Sequence, residues 1–211
     1  MTVYDLSVPT VDGVDWYHEA DCIPVRLRQL GSLAERGWVS HELSLMVLNG
    51  CTYLETAGHV LQDGATLDDI PPERLLPRAF VVRLPAGVRV LPAPQRDLEG
   101  FAPGADAILL HCGWDAHLHE PDYYHASPYF SPELQEWILR HRPGILGGDM
   151  LSFDDPAGDD MPFVNQFFRQ GGMILCPLVG LARLPTATVT LCAAPLKLAG
   201  ANAAPCRALA W

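Results

Sequence analysis

The apolar residues of this chain come in short blocks separated by turn formers. With 18 Gly and 19 Pro spread along its length, the pattern predicts many short strands joined by turns rather than a helical bundle. The clearest strands, rich in β-branched or aliphatic residues, are predicted at residues 3–7, 41–48, 79–84, 107–112, 173–176 and 187–196. In the second, Leu43, Leu45 and Val47 alternate with Ser44, Met46 and Leu48. One face is therefore apolar and the other nearly so, which predicts burial. Residues 107–110 are apolar without alternation, as expected for a strand covered on both faces.

Two helices carry start and stop signals. Ser131 can cap, Pro132 suits the first helical position, and Glu133 complements the positive end of the dipole. Leu134, Trp137, Ile138 and His141 then recur at helical spacing until Pro143 and Gly144 stop the helix. A second helix is predicted to start near Asp160 or Met161 with Pro162, to carry Phe163, Phe167 and Phe168, and to end at Gly171 and Gly172. Residues 92–104 and the acidic stretch 154–160 read as loops. A large sheet with two or three helices makes an α/β or α+β fold, and residues 1–211 form a single domain.

Composition narrows the function. The 49% of hydrophobic residues against 18% charged, with no long uncharged apolar run, predict a globular chain that does not span a membrane. A net charge of -11, with only 14 Lys and Arg, argues against nucleic acid as a partner. The six cysteines include no CxxC pair and the N-terminus has no export signal, so reduced thiols in a cytoplasm are expected.

Candidate chemistry concentrates in residues 49–59, where ionisable groups follow a strand end. Glu55 and His59 are spaced to form a carboxylate–imidazole pair for proton abstraction, although a histidine that bonds a carbonyl at a turn explains His59 equally. His111, Asp115, His117, His119, Glu120 and His125 form a ligand-rich cluster, but the intervening residues predict an irregular loop that would not fix a metal. Cys51 reads as a small buried residue rather than a nucleophile. Trp16, Tyr17, Trp38, Tyr53, Tyr123, Tyr124, Tyr129 and Phe130 wall a pocket or belong to the core.

The order of segments resembles the bacterial cyclase family, which includes bacterial-type kynurenine formamidase and isatin hydrolase. The resemblance spans almost the whole chain. It rests on Tyr4-Asp5-Leu6-Ser7-Val8-Pro9, on the stretch from Ser44 to His59, and on Gly113-Trp114-Asp115-Ala116-His117. It continues through Pro128-Tyr129-Phe130-Ser131-Pro132-Glu133, Gly148-Asp149-Met150-Leu151-Ser152-Phe153-Asp154, which is similar to the family's GIDTPSID segment, and the closing stretches Ala194-Pro195-Leu196-Lys197-Leu198 and Pro205-Cys206-Arg207-Ala208. The resemblance implies a swivelling β/β/α domain with a mixed, largely antiparallel sheet and a few helices. It also implies a homodimer or higher homo-oligomer whose sites borrow residues across the interface.

The family's metal-binding stretch reads HxGTHxDxPxH, with metal held by its first two His and its Asp. Here Asn49, Cys51, Tyr53, Glu55 and Ala57 replace the first His, the Gly, the second His, the Asp and the Pro, while Thr52 and His59 are kept. The family's distal His and Glu fall on Asn165 and Pro177. These replacements predict that the inherited metal site is lost, leaving no cofactor, with Zn or Mn as the alternative.

The expected function is therefore a metal-independent enzyme acting on a small, cyclic or aromatic carbonyl compound by acid–base chemistry. Cyclisation, dehydration, isomerisation and ring hydrolysis, in secondary metabolite biosynthesis, all fit. His59, Glu55 and Tyr53 are the catalytic candidates, and Asn49, Trp16, Tyr17, Asn165, Asp149 and Ser152 the substrate-binding ones. Turn caps at Asp149 and Ser152, an internal hydrogen bond at Asn165 and core packing of Trp16 and Tyr17 are the structural alternatives. A catalytically inactive partner subunit and a metal-dependent amidohydrolase with relocated ligands are the competing functions.

Overall fold

A computed structural model describes residues 1–20, 22–158 and 160–211. The strands are β1 Tyr4–Asp5, β2 Arg26–Gln29, β3 His41–Ser44, β4 Tyr53–Glu55, β5 Arg78–Arg83, β6 Val90–Leu91, β7 Ala107–His111, β8 Tyr129–Phe130, β9 Ile145–Gly148, β10 Met173–Cys176, β11 Thr188–Pro195 and β12 Ala203–Ala210. The α-helices are α1 Leu33–Arg36, α2 Pro132–His141 and α3 Pro162–Arg169.

The main sheet runs β1-β12-β11-β5-β7-β9-β10-β4, and β4 pairs again with β12. That last pairing closes the sheet into a barrel, with β1 attached outside the ring on β12. The β5–β7, β7–β9 and β9–β10 pairs are parallel, and the remaining pairs of this sheet are antiparallel. The architecture is thus a mixed α/β fold with few helices, as the strand-rich pattern predicts.

Strand parity divides the core in two. Leu54, Val81, Leu109 and Leu175 face the barrel interior together with the small residues Ala193 and Ala208. Tyr53, Val82, Ile108, Leu110 and Ile174 face outward and pack with Leu134 and Trp137 of α2 and Phe163 and Phe167 of α3. β7 is covered on both faces, which is why its sequence lacks alternation.

Both predicted helices form where their signals lie. The Ser131 side chain accepts from the Leu134 amide, and Arg142 ends α2 in the left-handed region at φ 53. α3 begins at Pro162, one residue after Met161. Its first turn is capped from a distance by Asp154, which accepts from the Phe163 and Val164 amides.

The prediction for residues 41–48 needs correction. Regular strand covers only β3, and all four of its residues are exposed. β3 pairs with β2 alone to form an arm that carries α1 near its tip, with no buried residue in α1. Alternation on this arm marks an apolar surface that this chain does not itself cover. Among the described residues, no helix is long and apolar enough to cross a membrane.

Candidate functional site

β4 is three residues long, yet it is anchored on both sides. Tyr53 lies opposite Cys176 and Glu55 opposite Ile174 on β10, while Ala203 and Pro205 of β12 occupy the other side. Thr52 Oγ1 accepts from the Val8 amide and donates to the Pro177 carbonyl, and Thr56 Oγ1 donates to the carbonyls of Ala65 and Asn202. The period of two places Tyr53 and Glu55 on the outer face of the barrel, and the 3-10 turn Ala57–His59 returns His59 to the same place.

There these residues border a cavity of about 240 Å³, walled by Met46, Leu48, Phe153, Met161 and Val164. Tyr17 also borders it, its ring centroid 4.5 Å from that of Tyr124. Glu19 also lines it, and among the described residues no Lys or Arg does.

Glu55 Oε1 is buried without a hydrogen-bond partner. His59 Nδ1 lies 3.3 Å from it but is not aligned for a hydrogen bond. Burial raises the Glu55 carboxyl to about 8 and lowers the His59 imidazole below its ordinary value. Near neutral pH the pair is consequently an uncharged acid beside an uncharged base, rather than an ion pair. Cys176 Sγ donates to the Tyr53 hydroxyl at 3.2 Å, and the Tyr17 hydroxyl donates to the Leu48 carbonyl at 3.4 Å. Desolvation holds both phenols well above the ordinary tyrosine value, so each keeps its proton.

The structure brings Tyr17, Tyr53, Glu55 and His59 together at this cavity. Ser152 borders an adjoining one, and its buried Oγ has no partner. The other candidates lie elsewhere. Asn49 is fully buried: its Oδ1 accepts from the Trp16 amide, and its Nδ2 donates to Asp15 Oδ1 and the Ile23 carbonyl. Trp16 packs against Tyr123 at 5.6 Å, and Asn165 Nδ2 donates to the Met161 carbonyl one turn earlier.

Asp149 is completely buried at the end of β9 and accepts from the Cys112 and Gly113 amides. Its Oδ2 also lies 2.7 Å from His111 Nδ1, and this bond raises the imidazole above its ordinary value. With Asp115, these residues place three ligand atoms within 4.8 Å of one another, a His/Asp/Asp set that could hold a metal. Of the ligand-rich stretch 111–125, only His111 and Asp115 join this group. His117 pairs with Glu120, and His125 Nε2 faces the Tyr17 carbonyl. Burial drives the Cys51 thiol up to about 12, in keeping with a small buried residue.

Residue types alone miss Cys176, whereas Tyr124, one of the aromatic candidates for a pocket wall, does line the cavity. The only sequence signal for Cys176 is the apolar strand that contains it, because its contact with Tyr53 depends on the β4–β10 register.

The positions that correspond to the family's metal ligands do not fit a metal. The Asn49 amide is spent on the Trp16 loop, the Tyr53 phenol is bonded to Cys176, Asn165 is bonded within its own helix, and Pro177 offers no side-chain donor. Glu55 and His59 remain, one donor short of the usual minimum of about three protein ligands.

No protein of curated function matches the chain by sequence. By fold it is similar to isatin hydrolase A from Ralstonia solanacearum, at 21% identity and a TM-score of 0.81 over 99% of this chain and 91% of that one. Isatin hydrolase A from Labrenzia aggregata bound to benzyl benzoate superposes at 21% identity and a TM-score of 0.78, covering 99% and 93%. A potential metal-dependent hydrolase with cyclase activity gives 21% identity and a TM-score of 0.78, covering 99% and 96%. The model of the putative cyclase family matches residues 4–155, more than half of the sequence, and the chain belongs to that family.

Proposed function

We propose that this protein is a metal-independent cyclase-family enzyme that acts on a small cyclic or aromatic carbonyl compound by acid–base chemistry. The observation that carries the reading is the Glu55 carboxyl, whose buried Oε1 has no hydrogen-bond partner, beside a neutral His59 in an aromatic-walled cavity. Leaving a buried carboxyl oxygen unpaired costs about 1–3 kcal/mol, a cost that a rotation of the carboxyl toward a bound carbonyl oxygen would offset.

In this reading His59 accepts the proton that leaves the substrate or an attacking water. The Glu55 carboxyl donates to the carbonyl oxygen as charge develops there, and the Tyr53 phenol turns from its present partners to support the same oxygen. Tyr17 and Ser152 contact the substrate. The apolar walls Leu48, Phe153 and Val164 lower the local dielectric around these hydrogen bonds and strengthen them. Ring hydrolysis suits the arrangement, as do cyclisation, dehydration and isomerisation, and the reading includes a place in secondary metabolite biosynthesis. The reading extends to a swivelling β/β/α architecture and to a cytoplasmic homodimer or higher homo-oligomer, for which the apolar arm offers a surface.

The His111, Asp115 and Asp149 set favours a second reading, a metal-dependent amidohydrolase with relocated ligands. Two measurements on the purified protein separate the readings. Elemental analysis after dialysis against a chelator is expected to find no stoichiometric metal, and isatin ring opening, followed by absorbance, is expected to persist in chelator. His59→Ala should lower that turnover by about 10²–10⁴-fold. Retained metal whose removal abolishes turnover would establish the second reading instead, and an unchanged rate in His59→Ala would remove His59 from the chemistry.

A further inference from the structure

A second cavity, of about 320 Å³, lies apart from the first and shares no lining residue with it. It forms where two adjacent parallel strands end. β5 and β7 run in parallel register as far as Arg83 and His111, and the segments that follow them, 85–89 and 112–117, supply most of its walls. Ligand sites in parallel α/β sheets gather at such carboxyl ends. Ala126 and Pro128 close a third side, and the Tyr129 amide donates to the Arg89 carbonyl beside them. The Trp114 indole stacks on the His117 imidazole with ring centroids 4.2 Å apart, and its Nε1 donates to the Tyr123 carbonyl, which fixes the plane of this wall. A Cβ at Gly113, whose φ is +80, would touch only the Ala86 methyl at 3.8 Å, so the space beside it is open.

Charge sets this cavity apart. Among the described residues, Arg89 is the sole Lys, Arg, Asp or Glu in its lining. The guanidinium donates through Nη2 to the His125 carbonyl at 2.8 Å and lies 5.7 Å over the Tyr129 ring, but it makes no ion pair among the described residues. We propose that the cavity binds a planar aromatic carboxylate. The ring lies along Trp114, between Pro85, Val88 and Pro128, and the carboxylate takes N–H groups of Arg89 that the His125 carbonyl leaves open. The volume falls within the range of small-molecule sites, about 300–1,000 Å³. The first cavity, lined by Glu19 and Glu55 with no cation among the described residues, offers such a ligand no counter-charge. Burial and the neighbouring Asp149 hold the Cys112 thiol well above its ordinary value, so the cavity presents no thiolate and binds its ligand without reacting with it. The assignment stands independently of the acid–base reading of the first cavity.

Calorimetric titration with 2-naphthoate and with its neutral analogue 2-naphthamide tests the site. The carboxylate is expected to bind about tenfold more tightly at low salt, with the preference shrinking as salt rises. Arg89→Met keeps an apolar stem over Tyr129 but removes the charge, and should abolish the preference. Ala86→Phe fills the cavity without removing a hydrogen bond, and should abolish binding of both probes. Circular dichroism and melting temperature verify each variant, and if one fails to fold the other still decides. Glu55→Gln, in the first cavity, should leave both affinities unchanged. Equal affinities for the two probes, no binding of the carboxylate, a preference that survives Arg89→Met or binding that survives Ala86→Phe would overturn the proposal. Carboxylate binding that is lost in Glu55→Gln and kept in Ala86→Phe would place the ligand in the first cavity, and would overturn it too.

Discussion

At the scale of single residues, Glu55 and His59 show how burial redefines a pair that spacing alone describes only as carboxylate and imidazole. Both groups lose water, and burial disfavours the charged form of each, so the acid holds its proton while the base gives its proton up. Stability should record this. Glu55 loses its proton near its ordinary value of 4.5 when the chain unfolds but retains it to about 8 when folded. Its contribution is therefore fully present below 4.5 and is lost as pH rises through about 8. His59 acts in the opposite sense, its contribution being lost as pH falls below the ordinary imidazole value. Glu55→Gln isolates the first effect. Denaturant melts should show the variant gaining on the wild type by a few kcal/mol between pH 5 and pH 9. A stability difference that is the same at both pH values would mean that Glu55 titrates as an ordinary carboxyl. The adjacency of Glu55 and His59 is readable from their spacing. Their protonation is not, because it depends on Phe153, Met161 and other walls that come from distant segments.

Individual elements differ in how far local sequence determines them. α2 is nearly complete in its own residues, with a serine cap, a proline at the first position and a stripe of Leu134, Trp137 and Ile138 that is buried as the spacing predicts. β10 likewise occupies the predicted residues. The β2–β3 arm is the counterexample, because alternation reports that a face is apolar and does not report what covers it. Leu33 is 70% exposed and Leu43 51% exposed, and a two-stranded ribbon on its own is only marginally stable in water. If a second copy covers the arm, light scattering on Leu33→Ser/Leu43→Ser should show a smaller species than wild type while far-ultraviolet circular dichroism stays native. A wild-type protein that is already monomeric would refute this. Asn49 shows the same limit in reverse, since a motif position that suggests a ligand is occupied in bracing the Trp16 loop.

At the scale of the molecule, the barrel depends on one very short strand. β4 closes the ring by pairing with both β10 and β12, and Leu54 at its centre is fully buried in the interior core. Leu54→Ala should cost about 2–5 kcal/mol in equilibrium unfolding. A loss below about 1 kcal/mol would show that closure does not rest on this strand. The sequence by itself determined the strand-rich α/β character, both longer helices, the family and the segment where Tyr53, Glu55 and His59 would lie, because these follow from short-range periodicity, capping and motif order. Only the tertiary structure decided the closure of the sheet, the exposure of the arm, the contact of Cys176 with Tyr53, the burial of Asp149 beside His111 and the cavity between Arg89 and Trp114. Each of these joins residues far apart in the chain through strand register and desolvation, which local pattern does not encode.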